Sequence, residues 1–166
     1  MDYYQGVVLD YLRADKAIFV NPECCIQIND GPSPDHGGTH WYCDAVAVDL
    51  RNETVFLCEV TYAVGSAKLV KRLREWGQNW GEVRAALIRD CKVNGDWLVR
   101  PWLFVPEKSI APLVAKLKLI KGIDELPVYQ PRITSLESVQ PWRYHSWGHQ
   151  DKNTDRPDSV PAEMRV

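Results

Sequence analysis

No run in this sequence is long and apolar enough to cross a membrane, and the opening Met1-Asp-Tyr-Tyr-Gln lacks the basic and apolar regions of a signal peptide. There is no large surplus of either charge: the formal net charge is −2, so no global basic signal points to nucleic acid. A disulfide framework is missing too. The five cysteines, Cys24, Cys25, Cys43, Cys58 and Cys91, are an odd set without regular spacing. Cys43 and Cys58 lie inside apolar stretches, where reduced cysteine behaves as a small hydrophobe, and the expected setting is a reducing cytoplasm. The tail from Pro127 contains no repeat. What is there suits one globular domain: 166 residues, 45% hydrophobic and 25% charged.

Periodicity predicts a helix over residues 2–14, with Val7, Val8, Tyr11 and Leu12 as its apolar stripe and Asp2 as its cap. Ala17 to Val20 and Cys24 to Ile28 read as extended, interrupted at Asn21-Pro22. Residues 29–38 form a Gly/Pro-rich loop, and two strands follow, 41–50 and 53–62, separated by Arg51-Asn52. Ser66 opens a long helix whose Leu69, Leu73, Trp76, Trp80, Val83 and Leu87 recur at intervals of four and three, the mark of one buried face. Gly77 and Gly81 weaken that helix locally, and Asn94-Gly95 ends it. Trp97 to Val105 reads as a strand, with Pro101 marking an edge or bulge. Residues 109–121 read as an amphipathic helix. The expected division is an α/β domain over 1–126 and a proline- and aromatic-rich C-terminal arm over 127–166.

The two strands around Arg51-Asn52 carry the sharpest signal. A two-residue turn there sets Val48 opposite Val55, Val46 opposite Leu57, and Asp44 opposite Glu59. Directly opposed side chains lie about 4.5–5.5 Å apart at Cβ, where like charges destabilise a sheet. Two carboxylates so placed among Val, Leu and Ala call for a cation or a shared proton. Asp49, beside the turn, reads instead as a solvated acid, and Asp35 as a turn residue. Gln5 or Asp10 on the first helix could add an outer contact to the site. Just downstream, Lys68, Lys71, Arg72 and Arg74 crowd into seven residues, a local positive patch suited to phosphate, or simply the wet face of a helix.

Other constellations carry less. His36, His40 and Cys43 lie close together and invite zinc, but no fourth ligand has matching spacing. His145 and His149 are four apart, yet Gly148 and Pro141 argue against a helix there. Cys24-Cys25 has no base in view. Trp76 and Trp80 fit the buried helix face, while Trp142 and Trp147 suit stacking on bases, clasping a partner, or anchoring the tail.

The order helix, strand, strand, strand, helix, strand, helix, with Asp44 in the second strand, Cys58-Glu59-Val60-Thr61 closing the third and a basic helix after it, resembles the PD-(D/E)XK nuclease superfamily. The resemblance covers roughly residues 2–121. It implies a restriction-endonuclease-like αβββαβ core, a mixed sheet flanked by helices. It further implies Mg2+ (or Mn2+) held by Asp44, Glu59 and the backbone carbonyl of Val60, with a DNA phosphodiester as substrate. Magnesium favours such carboxylate oxygens, retained water and substrate phosphate, and a bound metal would lower the pKa of an attacking water. The family's lysine two positions past the second acid is replaced here by Thr61, which carries no charge. Lys68 or Lys71 of the following helix would then supply the amine, and Arg72, Arg74 and Gln78 would contact the backbone or bases. The alternative is a catalytically inactive module of the same fold that binds nucleic acid or a protein partner. The resemblance allows a homodimer and implies no membrane association.

Overall fold

The computed structural model describes residues 2–28, 40–63, 65–120 and 130–144. The chain runs α1 (Tyr3–Ala14), β1 (Ile18–Gln27), β2 (His40–Asp49), β3 (Thr54–Val60), α2 (Ala67–Gln78), α3 (Trp80–Cys91), β4 (Leu98–Val105), α4 (Glu107–Lys118) and β5 (Arg132–Ser135). The strands form one mixed sheet in the order β1-β2-β3-β4-β5. The first two junctions are antiparallel and the last two parallel. Among the described residues no helix is long and apolar enough to cross a membrane.

Each face of the sheet carries its own core. On one, Val8, Leu9, Tyr11 and Leu12 of α1 pack on Ala45, Ala47, Phe56, Cys58, Trp102 and Phe104. On the other, the apolar stripes of α2, α3 and α4 cover Val46, Val55, Leu57, Val99, Leu103 and Ile133. A helix can bury only one stripe, so helices on both faces are what lets the inner strands be apolar throughout. β3 accordingly buries six consecutive residues, Thr54 to Glu59.

Several expectations need correcting. The long helix after Ser66 is two helices broken at Asn79, whose side-chain amide donates to the Glu75 carbonyl at 3.0 Å. Its stripe nevertheless continues across the break, because Leu69, Leu73, Trp76, Trp80, Val83 and Leu87 all lie in one core. Pro101 sits in an inner strand, paired with Leu57 of β3. The amides of Thr61 and Leu136 donate to the carbonyls of Phe104 and Val105. In a parallel ladder alternate residues bond to alternate sides. Even-numbered residues of β4 therefore serve β3, while Pro101 faces the β5 side ahead of the first β5 pair, Trp102 with Arg132. No donor is missed there. Finally, the segment expected to be an arm from 127 onward contributes β5 to the sheet, and Leu136 and Val139 to the α1-side core. Four residues are too few for a period to show in sequence.

The β2–β3 hairpin has the expected register, from Ala45 with Cys58 to Asp49 with Thr54. Its turn is wider than two residues, spanning Leu50 to Glu53, with Glu53 in the left-handed region at φ 48°. Asp49 is buried rather than solvated. Its carboxylate accepts from the amides of Arg51 at 3.0 Å and Asn52 at 3.2 Å, and from the Asn52 side chain at 2.7 Å. The turn thereby aims Arg51 at Asp15, whose fully buried carboxylate it meets with two bonds of 3.1 Å. This fork ties the hairpin tip to the end of α1.

Candidate functional site

Asp44 sits where the sheet changes its mind about which way side chains point. β1 and β2 pair continuously except at one step, where Glu23 and Asp44 drop out between Pro22–Ala45 and Cys24–Cys43. Glu23 stands there at φ 50°. On one side of the gap Ile18, Val20, Ala45 and Ala47 face α1; on the other Cys24, Ile26 and Cys43 face the α2–α4 core. Strict alternation would have kept Cys43 with Ala45. The local distortion resets the alternation and releases Asp44 from the ladder, much as a bulge re-aims one side chain beside a site.

Released in this way, Asp44 is held by two donors. Its Oδ2 accepts from the Val60 amide at 2.7 Å, and its Oδ1 from Gln5 Nε2 at 2.7 Å. Gln5 is itself locked by the capping box of α1. The Asp2 amide donates to Gln5 Oε1 at 2.9 Å, and Asp2 Oδ1 accepts from the Gln5 amide at 2.8 Å. With its oxygen occupied by the box, the Gln5 amide has only its nitrogen to offer Asp44. Asp10, the other helix candidate, is exposed.

Glu59, last but one in β3, is 5% exposed. Its Oε2 lies 2.5 Å from Arg72 Nη1 of α2. Its Oε1 is buried with no hydrogen-bond partner among the described residues. Burial pushes the carboxyl up to about 7, the Arg72 hydrogen bond pulls it down, and the Asp44 charge raises it further. Thus Asp44 is tied to the α1 layer and Glu59 to the α2 layer. The charges still feel each other at the end of the strands, where Asp44 grips the residue after Glu59.

The remaining expected residues are arranged around this pair. Val60 contributes its amide to Asp44, and Thr61, just past the strand, accepts from the Ala63 amide at 3.4 Å. Lys68, Lys71, Arg74 and Gln78 are exposed on α2, and Lys71 lies 3.7 Å from Glu75. Arg72, expected as a phosphate or base contact, is instead the partner of Glu59. A signal for this existed: Leu69, Arg72, Leu73 and Trp76 follow the spacing of one helix face, so Arg72 borders an otherwise apolar stripe.

Among the described residues no group of three or more His, Cys, Asp or Glu could hold a metal ion. His40 meets Tyr42 edge-on, while Asp35, His36, His145, His149 and Trp147 lie outside the described residues. Cys24 and Cys43 are cross-strand partners, and both thiols are reduced. Comparison with protein-family models, curated proteins and solved structures finds no match for the chain.

Proposed function

We propose that Asp44 and Glu59 form a divalent-metal site of the nuclease type, serving hydrolysis of a DNA phosphodiester on a restriction-endonuclease-like core. The observation that carries this reading is the orphaned Glu59 Oε1, buried within electrostatic reach of the Asp44 carboxylate. A buried carboxylate oxygen without a donor needs a proton, a water or a cation. The donor set is hard oxygen, which fits Mg2+ or Mn2+. Magnesium is commonly held by only one or two carboxylates, with water and substrate phosphate completing its shell.

Asp44, Glu59 and the Val60 carbonyl are the residues that would hold the ion. When bound, it would lower the pKa of a water and offset charge gathering on the phosphate. The chain's own groups do the rest. Gln5 and the Val60 amide fix the Asp44 carboxylate, and each Asp44 oxygen keeps a further lone pair. Arg72 takes the electrostatic place of the missing motif lysine: it neutralises Glu59 and, on moving to a phosphate oxygen, would carry its charge to substrate. Lys68, Lys71, Arg74 and Gln78 line the outer face of α2 for backbone contact.

The test is calorimetric titration of Mg2+ and Mn2+, paired with cleavage of plasmid and single-stranded DNA. Asp44→Asn and Glu59→Gln should each abolish metal binding and lower cleavage by at least about a hundredfold. A folded wild type that takes up neither ion would overturn the reading. Thr61 and the Glu59–Arg72 ion pair favour a second reading, a non-catalytic nucleic-acid-binding module in which Arg72 permanently fills the cation's role. DNA binding without cleavage in either metal would select it.

A further inference from the structure

β3, β4 and β5 run parallel, and residues that follow their carboxyl ends line an open cavity of about 510 Å³. Crevices outside the carboxyl ends of parallel strands are where open α/β sheets hold ligands, and this volume lies in the range of small-molecule sites. Tyr62 follows β3, Pro106 and Lys108 follow β4, and Trp142 and Arg143 follow β5. Tyr4 closes the cavity from α1, stacked on Tyr62 with ring centroids 5.1 Å apart and planes 26° apart. Tyr62 is 59% exposed and Trp142 76% exposed. Large aromatic surface is thus left open to solvent, beside two cations.

Among the described residues of the wall the one acid is Glu137, and it is already engaged. Glu137 Oε2 accepts from the Glu107 amide at 2.9 Å, at the start of α4. Lys108 and Arg143 against this single carboxylate leave the described lining net positive, which suits phosphate. The cavity also lies near the acidic pair along the chain. Tyr4 precedes Gln5, the donor to Asp44, and Tyr62 lies three residues past Glu59, about 10 Å along an extended chain. That is roughly three nucleotide steps at the rise of a DNA strand.

We propose that this cavity is a stacking pocket for an unpaired nucleobase, with Tyr62, Tyr4 and Trp142 supplying ring faces and Lys108 and Arg143 the flanking phosphate contacts. The ligand class is single-stranded nucleic acid, or the single-stranded end of a duplex, because bases inside a duplex present no free face. The assignment deepens the nuclease reading and takes its substrate class from it, but stands on the aromatic and basic lining rather than on the acids.

Fluorescence anisotropy with a labelled single-stranded oligonucleotide, in EDTA so that no metal chemistry contributes, tests the pocket directly. The single strand should bind more tightly than the blunt duplex of the same sequence. Tyr62→Ala and Trp142→Ala should each weaken it roughly five- to a hundredfold, and Tyr62→Phe should bind like wild type. Lys108→Ala and Arg143→Ala should each reduce the slope of log affinity against log salt by about 0.7. Far-UV circular dichroism of each variant establishes that it is folded. Oligonucleotide binding indifferent to Tyr62 and Trp142 would overturn the proposal. So would binding confined to a free nucleoside monophosphate, or to a proline-rich peptide. Absence of cleavage with Mg2+ or Mn2+ alongside Tyr62-dependent binding would remove the catalytic reading and leave the pocket standing.

Discussion

Arg72 Nη1 lies 2.5 Å from Glu59 Oε2, while the other Glu59 oxygen has no donor among the described residues. One oxygen of this carboxylate is answered from α2, and the other is buried within electrostatic reach of Asp44. A group in such a position reports its surroundings through its proton.

Glu59 therefore makes a pH prediction with a definite sign. Its folded-state pKa of about 7 lies above the ordinary value of 4.5, chiefly through burial. Between those values the folded protein keeps a proton that the unfolded chain has released, so stability should fall as pH rises from about 4.5 to about 7 and level off on either side. The full drop is at most about 3 kcal/mol. Urea melts at stepped pH would show it, and Glu59→Gln should flatten the profile. A rise in stability across that window in wild type would contradict the assignment.

Arg72→Met removes the group that holds the Glu59 carboxyl down, so its titration should move above 7. The loss of stability should be larger at pH 8, where Glu59 would otherwise be charged, than at pH 5, and about 1–3 kcal/mol at the higher pH. Carbon-detected NMR of the Glu59 carboxyl measures the shift directly. An unmoved titration would mean that Arg72 does not face Glu59 in solution.

Gln5→Ala breaks the α1 capping box and takes a donor from Asp44 at once. A cost of about 1–2 kcal/mol is expected. Asp2→Ala should cost about 1 kcal/mol and, by freeing the Gln5 amide to turn, also disturb the Asp44 site. Chemical-shift changes at the Val60 amide in the Asp2 variant would report this coupling, and their absence would sever it.

Asp49→Ala strips the hairpin turn of its acceptor for two backbone amides and a side chain. The expected loss is about 2–3 kcal/mol by thermal denaturation. Asp15→Ala, which strands Arg51 and removes a wholly buried partner, should cost a similar amount. Either variant matching wild type would argue that the tip of the hairpin is not held as described.

The thiols should react in a fixed order. The hydrogen bond from Cys43 lowers the Cys24 pKa, and that thiol is only partly buried. Burial pushes Cys91 up to about 11 and Cys58 far up. Iodoacetamide followed by peptide mass mapping should label Cys24 before Cys91, and Cys58 only on unfolding. Early labelling of Cys58 would place it nearer the surface than β3 allows.

The elements most readily read from sequence were those whose signal is local and repeated. Asp2 and the stripe through Val8 and Leu12 specify α1; the spacing from Leu69 to Leu87 specifies the α2–α3 face; alternating apolar residues around Arg51-Asn52 specify the hairpin register. Periodicity of this kind needs only neighbours in the chain, because each side chain's direction follows from the backbone repeat. β5 escaped because four residues carry no period. The placement of Pro101 escaped because it depends on where the neighbouring strand begins.

Along the chain, Asp44 and Glu59 stood out as carboxylates on facing strands, and that much needed no coordinates. Their partners did. Gln5, thirty-nine residues before Asp44, and Arg72, thirteen after Glu59, reach them only because α1 and α2 cover opposite faces of one sheet. The switch of faces at Glu23 and Asp44, and the ring of Tyr4, Tyr62 and Trp142 past the parallel strand ends, likewise arise from segments distant in sequence. Local patterning decides which way a residue points along its own element. Which residue it meets is decided by how the layers pack, and with it the charge state of Glu59.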